Sequence, residues 1–445
     1  MIEVLNDHIE AAEPPIAPFS EARIKLTANS DLKKLSYKPL AMKLSEAAEV
    51  LDDQIDDYLT LIQAHHKLED SAFGSAESQS TNEIVAVGRI ASDTPEGRLN
   101  ASSLVLETSR KLGNGRRIPL KVNTLRTYQF FPGQIVALKG INSTGNEFAV
   151  SSILEPPLLP SAASPPASLL THLDRVNGGP DAMDDDSTAL PLNMIIASGP
   201  YTADDNLDFE PLHALCSLAA DTYIDTLILS GPFIDIDHPL IATGDFDLPD
   251  EMDTSETETA TMSTVFKHFI STALNTLVSS NPSITILLIP SVKDTISKHV
   301  SWPQEPFPKK ELNLPKPVRV IGNPMTLSLN EISLGISSQD VLSQLQSSEV
   351  IGGTSNQQMP LLQRLPRYLI EQRNFFPIYP PLDREVMTKT GTADGRPVGA
   401  MMDVSFLRLG DMINVRPDLL VVPSALPPFA KVSPFYPLNL FFPLG

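Results

Sequence analysis

The sequence predicts a two-domain α+β protein in which a small all-β domain precedes a larger layered α/β domain. Three observations carry that reading. Five short strand patterns fill residues 83–154, buried strands alternate with helical patterns from residue 192 onward, and a proline-dense stretch over 156–191 parts the two. The chain has 445 residues, enough for two or three domains at roughly 150 each. With 42% hydrophobic and 20% charged residues it holds ample material for a core.

Residues 1–42 lack sustained periodicity and read as an extended arm. Residues 43–82 contain a helix leading into the first domain. Leu44, Ala48, Leu51, Ile55, Tyr58 and Ile62 recur at steps of four and three, with Glu49, Asp52, Asp53, Asp56 and Asp57 between them and Ser45 placed to cap the start. His65 and His66 lie at its end, with nothing nearby to complete a metal site.

The strand patterns at 83–90, 103–107, 117–122, 134–141 and 147–154 are divided by Asn114-Gly115, Pro132-Gly133 and Gly145-Asn146. Five strands in about seventy residues suit a partly open barrel of the OB type over 83–155. Such barrels often hold single strands between aromatics and basic loops. Arg110, Lys111, Arg116, Arg117, Lys121 and Arg126 run without an intervening acid and are followed by Tyr128, Phe130 and Phe131. Nucleic-acid contact through Arg116, Arg117, Lys121 and Tyr128 is therefore one reading, and packing or protein contact is the other.

The stretch 156–191 carries Pro156, Pro157, Pro160, Pro165, Pro166, Pro180 and Pro191, with Gly178, Gly179 and Asp184 to Asp186, and reads as a linker without periodic structure. The α/β domain covers 192–432. Its strands are expected at 194–198, 226–230, 284–289, 318–321, 326–329, 332–335 and 419–422, with helices over 209–223 and 262–278.

Charge excludes one class of function. Lys plus Arg number 33 against 54 Asp plus Glu, a net charge of −21. Between Arg175 and Lys267 there is no Lys or Arg and there are 19 acidic residues. Such a surface repels phosphate backbones, so the chain does not coat DNA by charge alone. The acidic loop of Asp245, Asp247, Asp250, Glu251, Asp253, Glu256 and Glu258 reads as solvated surface, with a site for a basic partner as the alternative. Cys216 is the one cysteine, which rules out a disulfide framework or a Cys-based metal site within the chain and suits a reducing compartment. The longest apolar runs are far too short to span a bilayer, and no secretory pattern opens the chain.

Three polar turns follow the first three strands of the α/β domain: Ser198-Gly199-Pro200, Gly231-Pro232-Phe233-Ile234-Asp235 and Pro290-Ser291-Val292-Lys293-Asp294. Open α/β sheets place their chemistry at these ends. The layout resembles the calcineurin-like metallophosphoesterases, whose turns carry Asp-x-His, Gly-Asp-x-x-Asp and Gly-Asn-His-Asp around two water-activating metals. The ligands fail residue by residue. Ser198 and Pro200 stand for the first Asp and His, Pro232 for the bridging Asp, and Val292 and Lys293 for the Asn-His pair. Asp235 and Asp294 persist, as turn residues rather than ligands. His299 is the last histidine, so the later His ligands have no candidate, and His238 is a lone loop imidazole. The expectation is a phosphoesterase-like α/β sandwich that is inactive: no catalytic residue, no metal and no cofactor.

Longer phrases sharpen the resemblance. Tyr37-Lys38-Pro39, Glu69-Asp70-Ser71-Ala72-Phe73-Gly74 and Val85-Ala86-Val87-Gly88-Arg89-Ile90 precede the second and third turns, and Phe375-Phe376-Pro377-Ile378-Tyr379-Pro380-Pro381 and Arg416-Pro417-Asp418-Leu419 follow them. In this order they span residues 37 to 431 and resemble the B-subunit family of DNA polymerase alpha, of a fungal-like type. The B subunits of polymerases delta and epsilon share the plan and are the alternative, as is a single-strand-binding OB protein.

The resemblance implies a non-catalytic accessory subunit in the nucleus. It would grip the C-terminal domain of the polymerase alpha catalytic subunit, reach the primase subunits through the complex, and meet DNA at most indirectly and membranes not at all. The family opens with a helical N-terminal domain on a flexible linker, and Met1 falls within that linker. At the other end the familiar phrase stops at Lys431-Val432. Residues 433–445, with Pro434, Pro437 and Pro443, are expected to be an atypical tail from an incorrect or alternative gene reading. Such a tail should form no central strand and should leave the 419–422 strand as an open edge.

Overall fold

The computed structural model of the chain describes residue 8 and residues 13–38, 42–94, 98–176, 191–246, 260–296, 301–355, 359–381, 401–432 and 440–442. Most of the acidic loop, His299, Pro39 and most of the tail lie outside them.

The barrel forms where the strand patterns and their dividing turns predict it. Its strands are β2 (Ile84–Ser92), β3 (Leu104–Glu107), β4 (Arg117–Lys121), β6 (Ile135–Ile141) and β7 (Phe148–Leu154), and β6 pairs back onto β2 to close the ring. Ala86, Ile90, Leu106, Leu120, Leu138 and Phe148 alternate inward to fill it. The helix α1 (Leu44–His66) lays Ile55, Tyr58 and Ile62 on the outer face of Val85, Val87 and Ala137. It begins ahead of Ser45. Lys43 takes the cap position and donates its N–H to the Glu46 carboxylate at 3.0 Å, so Ser45 lies inside the helix rather than capping it. A single turn, α2 (Arg110–Gly113), follows β3, and the short β5 (Tyr128–Phe130) leaves the barrel between β4 and β6.

The second domain is four layers deep. Its parallel sheet consists of β8 (Met194–Ser198), β9 (Thr226–Ser230), β10 (Thr285–Ile289) and β12 (Val318–Val320), in the order β12-β10-β9-β8. On one face Leu227, Leu229, Ile286 and Leu288 meet the helices α4 (Glu210–Asp221), α6 (Met262–Phe266) and α7 (Thr272–Ser280). The last two are joined by a π turn at Lys267–Ser271 and preceded by the short α5 (Pro239–Thr243). On the other face Ile228, Leu287 and Ile289 meet a mixed sheet through Met325, Leu327, Leu334, Ile336 and Val421. That sheet runs β1 (Leu26–Ala28), β13 (Met325–Leu329), β14 (Ile332–Ile336), β17 (Leu419–Val421), β19 (Leu440–Phe442), β18 (Lys431–Val432). Its outer face, at Leu420 and Val422, is covered by α8 (Val341–Ser348) and α9 (Leu361–Gln372). A two-residue parallel pair, β11 (Ser301–Trp302) with β16 (Met401–Met402), flanks this core. The period-2 and period-3.6 signals therefore resolve into helix, sheet, sheet and helix layers.

Three expectations about connecting segments change. The arm is not free: β1 pairs antiparallel with β13, and Arg23 forms a buried ion pair with Asp225 at 3.1 Å. Tyr37 stacks on Phe406 with ring centroids 3.9 Å apart. The proline-dense stretch holds a helix, α3 (Pro166–Val176), because Pro166 sits at its first position, where no intrahelical N–H is needed. Before it, Leu159 is buried and Pro160 accepts the Arg416 N–H at 2.9 Å, so that part is bound to the sandwich; residues 177–190 lie outside the described residues. The tail expectation is corrected at β19, which pairs with β17 on one side and β18 on the other. β17 is thus not an edge strand. Leu440-Phe441-Phe442 carries no proline, and three residues suffice to occupy the slot.

Candidate functional site

The three turns meet at the C-terminal ends of β8, β9 and β10, where an open α/β sheet holds its ligands. Asp294, 1% exposed, is at the centre. Its Oδ1 accepts the backbone N–H of Phe233 at 2.6 Å and of Ile234 at 3.1 Å, and its Oδ2 accepts that of Ser291 at 2.8 Å. The carboxylate therefore staples the third turn to the second. Ile236 N–H to the Lys293 carbonyl (3.0 Å) and Thr295 N–H to the Ile234 carbonyl (3.1 Å) complete the join. Gly231 makes the approach possible, since a Cβ there would lie 2.5 Å from Asp294 Oδ2.

Burial pushes the Asp294 carboxyl up to about 7, against the pull of its three N–H donors. Asp235 is also raised by burial, and its Oδ1 accepts the Asp237 N–H at 3.0 Å. Lys293 pairs with Asp237 at 2.8 Å. Burial draws the Lys293 ammonium down, but the carboxylates of Asp237 and Asp235 outweigh it and leave it raised. His238 caps α5: its Nδ1 accepts the Leu240 N–H at 3.3 Å, leaving Nε2 to donate to the Ala203 carbonyl at 2.8 Å.

A two-metal donor set does not fit these turns. Pro200 and Pro232 offer no side-chain ligand atom, Ser198 offers one hydroxyl, and both Asp294 oxygens accept backbone N–H groups. Among the described residues no group of three or more His, Cys, Asp or Glu side chains is gathered as a metal site, and no helix is long and apolar enough to cross a membrane.

The basic run on the barrel is acid-free only along the sequence. In space Arg116 lies 3.4 Å from Glu77, Arg117 2.7 Å from Glu107, and Lys121 2.9 Å from Glu147, while Arg110 bonds Asp52 of α1. Tyr128 is buried, with its ring against Gly352. The four residues do not make an open stacking platform beside unpaired cations.

What the sequence reading missed is the seam between the domains. β5 pairs antiparallel with β15 (Val350–Gly352) of the sandwich, register Val350↔Phe130. Phe130 turns into the barrel core and Phe131 into the sandwich core, where its ring centroid lies 4.9 Å from that of Tyr368. Gln372 on α9 reads the backbone of Ile135 on β6: Oε1 accepts its N–H at 2.8 Å and Nε2 donates to its carbonyl at 3.0 Å. Pro132 accepts the Tyr379 N–H at 3.1 Å, and Gly133 beside it has φ +93°. Arg89, 2% exposed on β2, donates to the Leu51 carbonyl (2.9 Å) and Gln54 Oε1 (3.1 Å) on α1, with Tyr379 over its guanidinium at 5.5 Å. Below β15, Glu349 is buried between Arg364 (2.6 and 2.9 Å) and the Tyr368 hydroxyl (2.9 Å). An arginine inside an otherwise apolar strand pattern was the signal available for Arg89; no comparable signal marks Gln372.

Comparison with known proteins now places both halves. Residues 48–156 match a family described as the OB domain of the DNA polymerase alpha B subunit, and residues 194–431 match the family of DNA polymerase alpha/epsilon B subunits. The chain is 32% identical over 434 residues to the DNA polymerase alpha B subunit of Schizosaccharomyces pombe, covering 97% of this chain and 69% of that protein. It is 36% identical over 452 residues to the Saccharomyces cerevisiae protein of the same name (96% and 61%) and 30% over 402 residues to that of Bos taurus (89% and 58%). The chain thus spans 58% to 69% of the length of these relatives. Two adjoining family matches and this coverage make the chain a member of the B-subunit family of DNA polymerase alpha.

Proposed function

We propose that the protein is a non-catalytic accessory subunit of DNA polymerase alpha–primase, acting in the nucleus as a scaffold for the catalytic subunit during primer synthesis and initiation of replication. The observation that carries this reading is the family match across both domains, with relatives named as B subunits of DNA polymerase alpha. The geometry supports it: a protein partner needs a large, fixed surface, and the seam between barrel and sandwich supplies one. The partner is the C-terminal domain of the catalytic subunit, docked across both domains, with primase subunits reached through the complex and DNA met at most indirectly. In this reading 83–155 is the OB domain, 192–432 an inactive phosphoesterase-like domain, 43–82 the helix leading into the barrel, and 1–42, 156–191 and 433–445 the arm, linker and tail. Ser198, Pro200, Pro232, Asp235, Lys293 and Asp294 are its degenerate catalytic positions, now turn residues.

Two measurements test the proposal. The full chain, mixed with a C-terminal segment of a polymerase alpha catalytic subunit, should form a complex at micromolar concentration that survives moderate salt; failure to bind would end the assignment. The purified chain should release no product from a generic phosphodiester with added manganese or zinc, whereas turnover would replace the scaffold by an enzyme.

A further inference from the structure

Along the β12 edge of the parallel sheet lies a cleft of about 700 Å3. Its walls are the arm strand β1 and the strand β12, which are the terminal strands of their two sheets. The floor between them is apolar, built from Ile24, Leu26, Leu287 and Leu327. Lys25, Lys316 and Arg319 stand exposed around it, and among the described residues no carboxylate lines it. None of these three side chains has a hydrogen-bond or ion-pair partner among the described residues, unlike Arg116, Arg117 and Lys121 on the barrel.

That arrangement reverses the local charge of a chain whose net charge is −21. Among the described residues no carboxylate pairs with these three cations beside the apolar floor, and the complement that fits both features is an anion carrying apolar groups. The volume falls among pockets of roughly 300–1,000 Å3, which enclose a drug-sized ligand or a few residues of peptide. A phosphate backbone would meet the cations but leave the floor wet, and the acidic remainder of the chain repels it.

Lys309 narrows the mode of binding. Its Nζ already donates to the carbonyls of Lys316 (3.0 Å) and Val318 (2.6 Å) along the β12 edge. Burial and the neighbouring Arg319 lower its pKa. A partner therefore cannot simply extend the sheet along that edge, and side chains must provide the hold.

We infer that this cleft is a docking site for an acidic–apolar segment of a partner protein, with carboxylates on Lys25, Lys316 and Arg319 and one or two large apolar side chains on the floor. The inference stands apart from the scaffold reading, since the cleft's lining shares no residue with the seam or the three turns.

The test uses the full chain and fluorescein-labelled peptides of about ten residues alternating Glu with Leu or Phe, followed by anisotropy at about 0.15 M salt. Two control peptides replace the apolar residues by Ser or the Glu by Lys. The acidic–apolar peptide should saturate, and neither control should. Lys316→Glu combined with Arg319→Glu, both on exposed side chains, should weaken it at least about ten-fold. Ala28→Trp, which fills the cleft without changing charge, should weaken it as well and decides the matter if the charge variant misfolds. Absence of saturable binding below about 100 µM would overturn the inference. Equal binding of the Ser peptide, equal competition by a single-stranded oligonucleotide, or unchanged affinity in both variants would do so too.

Discussion

The strand-end turns and the domain seam both bury ionisable groups, and they use them in opposite ways. At the turns Asp294 gives its oxygens to three N–H groups of its own domain. At the seam Arg89 and Gln372 direct their donors and acceptors to backbone across an element boundary. The first arrangement ties two strand-end turns together; the second holds α1 on the barrel through Arg89 and the barrel on the sandwich through Gln372. With both oxygens accepting backbone N–H groups, the Asp294 carboxylate is committed to holding the turns together. What a scaffold needs is the seam.

Breaking the turn cluster should have the largest effect. Asp294→Ala leaves three buried N–H groups without an acceptor, at about 1–3 kcal/mol for each unsatisfied group, so a loss of roughly 4 kcal/mol is expected in urea unfolding near the ordinary aspartate pKa of 3.8, where the raised carboxyl still contributes fully. A loss under about 1 kcal/mol would mean that water or neighbouring backbone replaces the carboxylate.

The seam is next. At Gly133 the φ of +93° disfavours any side chain, and a Cβ would strike the Tyr379 N and the Pro377 carbonyl. Gly133→Ala should therefore cost roughly 2–3 kcal/mol. It should also separate the barrel and sandwich transitions. Trp302, the one tryptophan, is buried in the sandwich core that also takes in Phe131, so its fluorescence reports on that side. In the unmodified chain Trp302 fluorescence and far-ultraviolet circular dichroism should give one midpoint; in Gly133→Ala, two.

Acidity sharpens the contrast further. Burial raises Asp294 from 3.8 to about 7 and Asp411 from 3.8 to about 6. An acid whose pKa is higher folded than unfolded binds more protons when folded. Its contribution to stability is greatest below the unfolded value and is lost as pH rises from about 4 to about 7. Asp294→Asn, besides destabilising through its amide facing the Ser291 N–H, should flatten that decline in the urea midpoint. An unchanged slope would move the proton to another group.

The smallest effect belongs to the barrel cations. Arg117 is largely exposed in its pair with Glu107, so Arg117→Ala should change stability by less than about 0.5 kcal/mol. Combined with Arg116→Ala it should leave oligonucleotide binding by the full chain unaltered. A salt-dependent loss of such binding would revive the nucleic-acid reading of this face.

How much of this was legible follows from the range of each interaction. The barrel strands emerge within a residue or two, because short apolar segments are bounded by turn residues, with inward and outward faces alternating in β4 and at the start of β7. The same holds for β8, β9 and β10, whose buried runs are bounded by turns. α9 went unread because Pro366 sits inside it and interrupts the pattern. β1, β5, β15 and β19 are three residues each, too short for a period, and their partners lie far along the chain. The site divides similarly. The absence of ligand-bearing residues at Ser198, Pro200 and Pro232 is written in the sequence. That Asp294 reaches back to Phe233, or that Glu77, Glu107 and Glu147 meet the basic run, depends on folding.

The affinity of a C-terminal segment of the catalytic subunit, measured by titration calorimetry against three full-length proteins, tests the central claim most directly. The account predicts tight binding to the unmodified chain. It predicts at least about ten-fold weaker binding to Gly133→Ala combined with Gln372→Ala, which loosen the seam, and unchanged binding to Asp235→Asn at the turns. Equal affinity for the seam variant, or loss of binding in the turn variant alone, would contradict it.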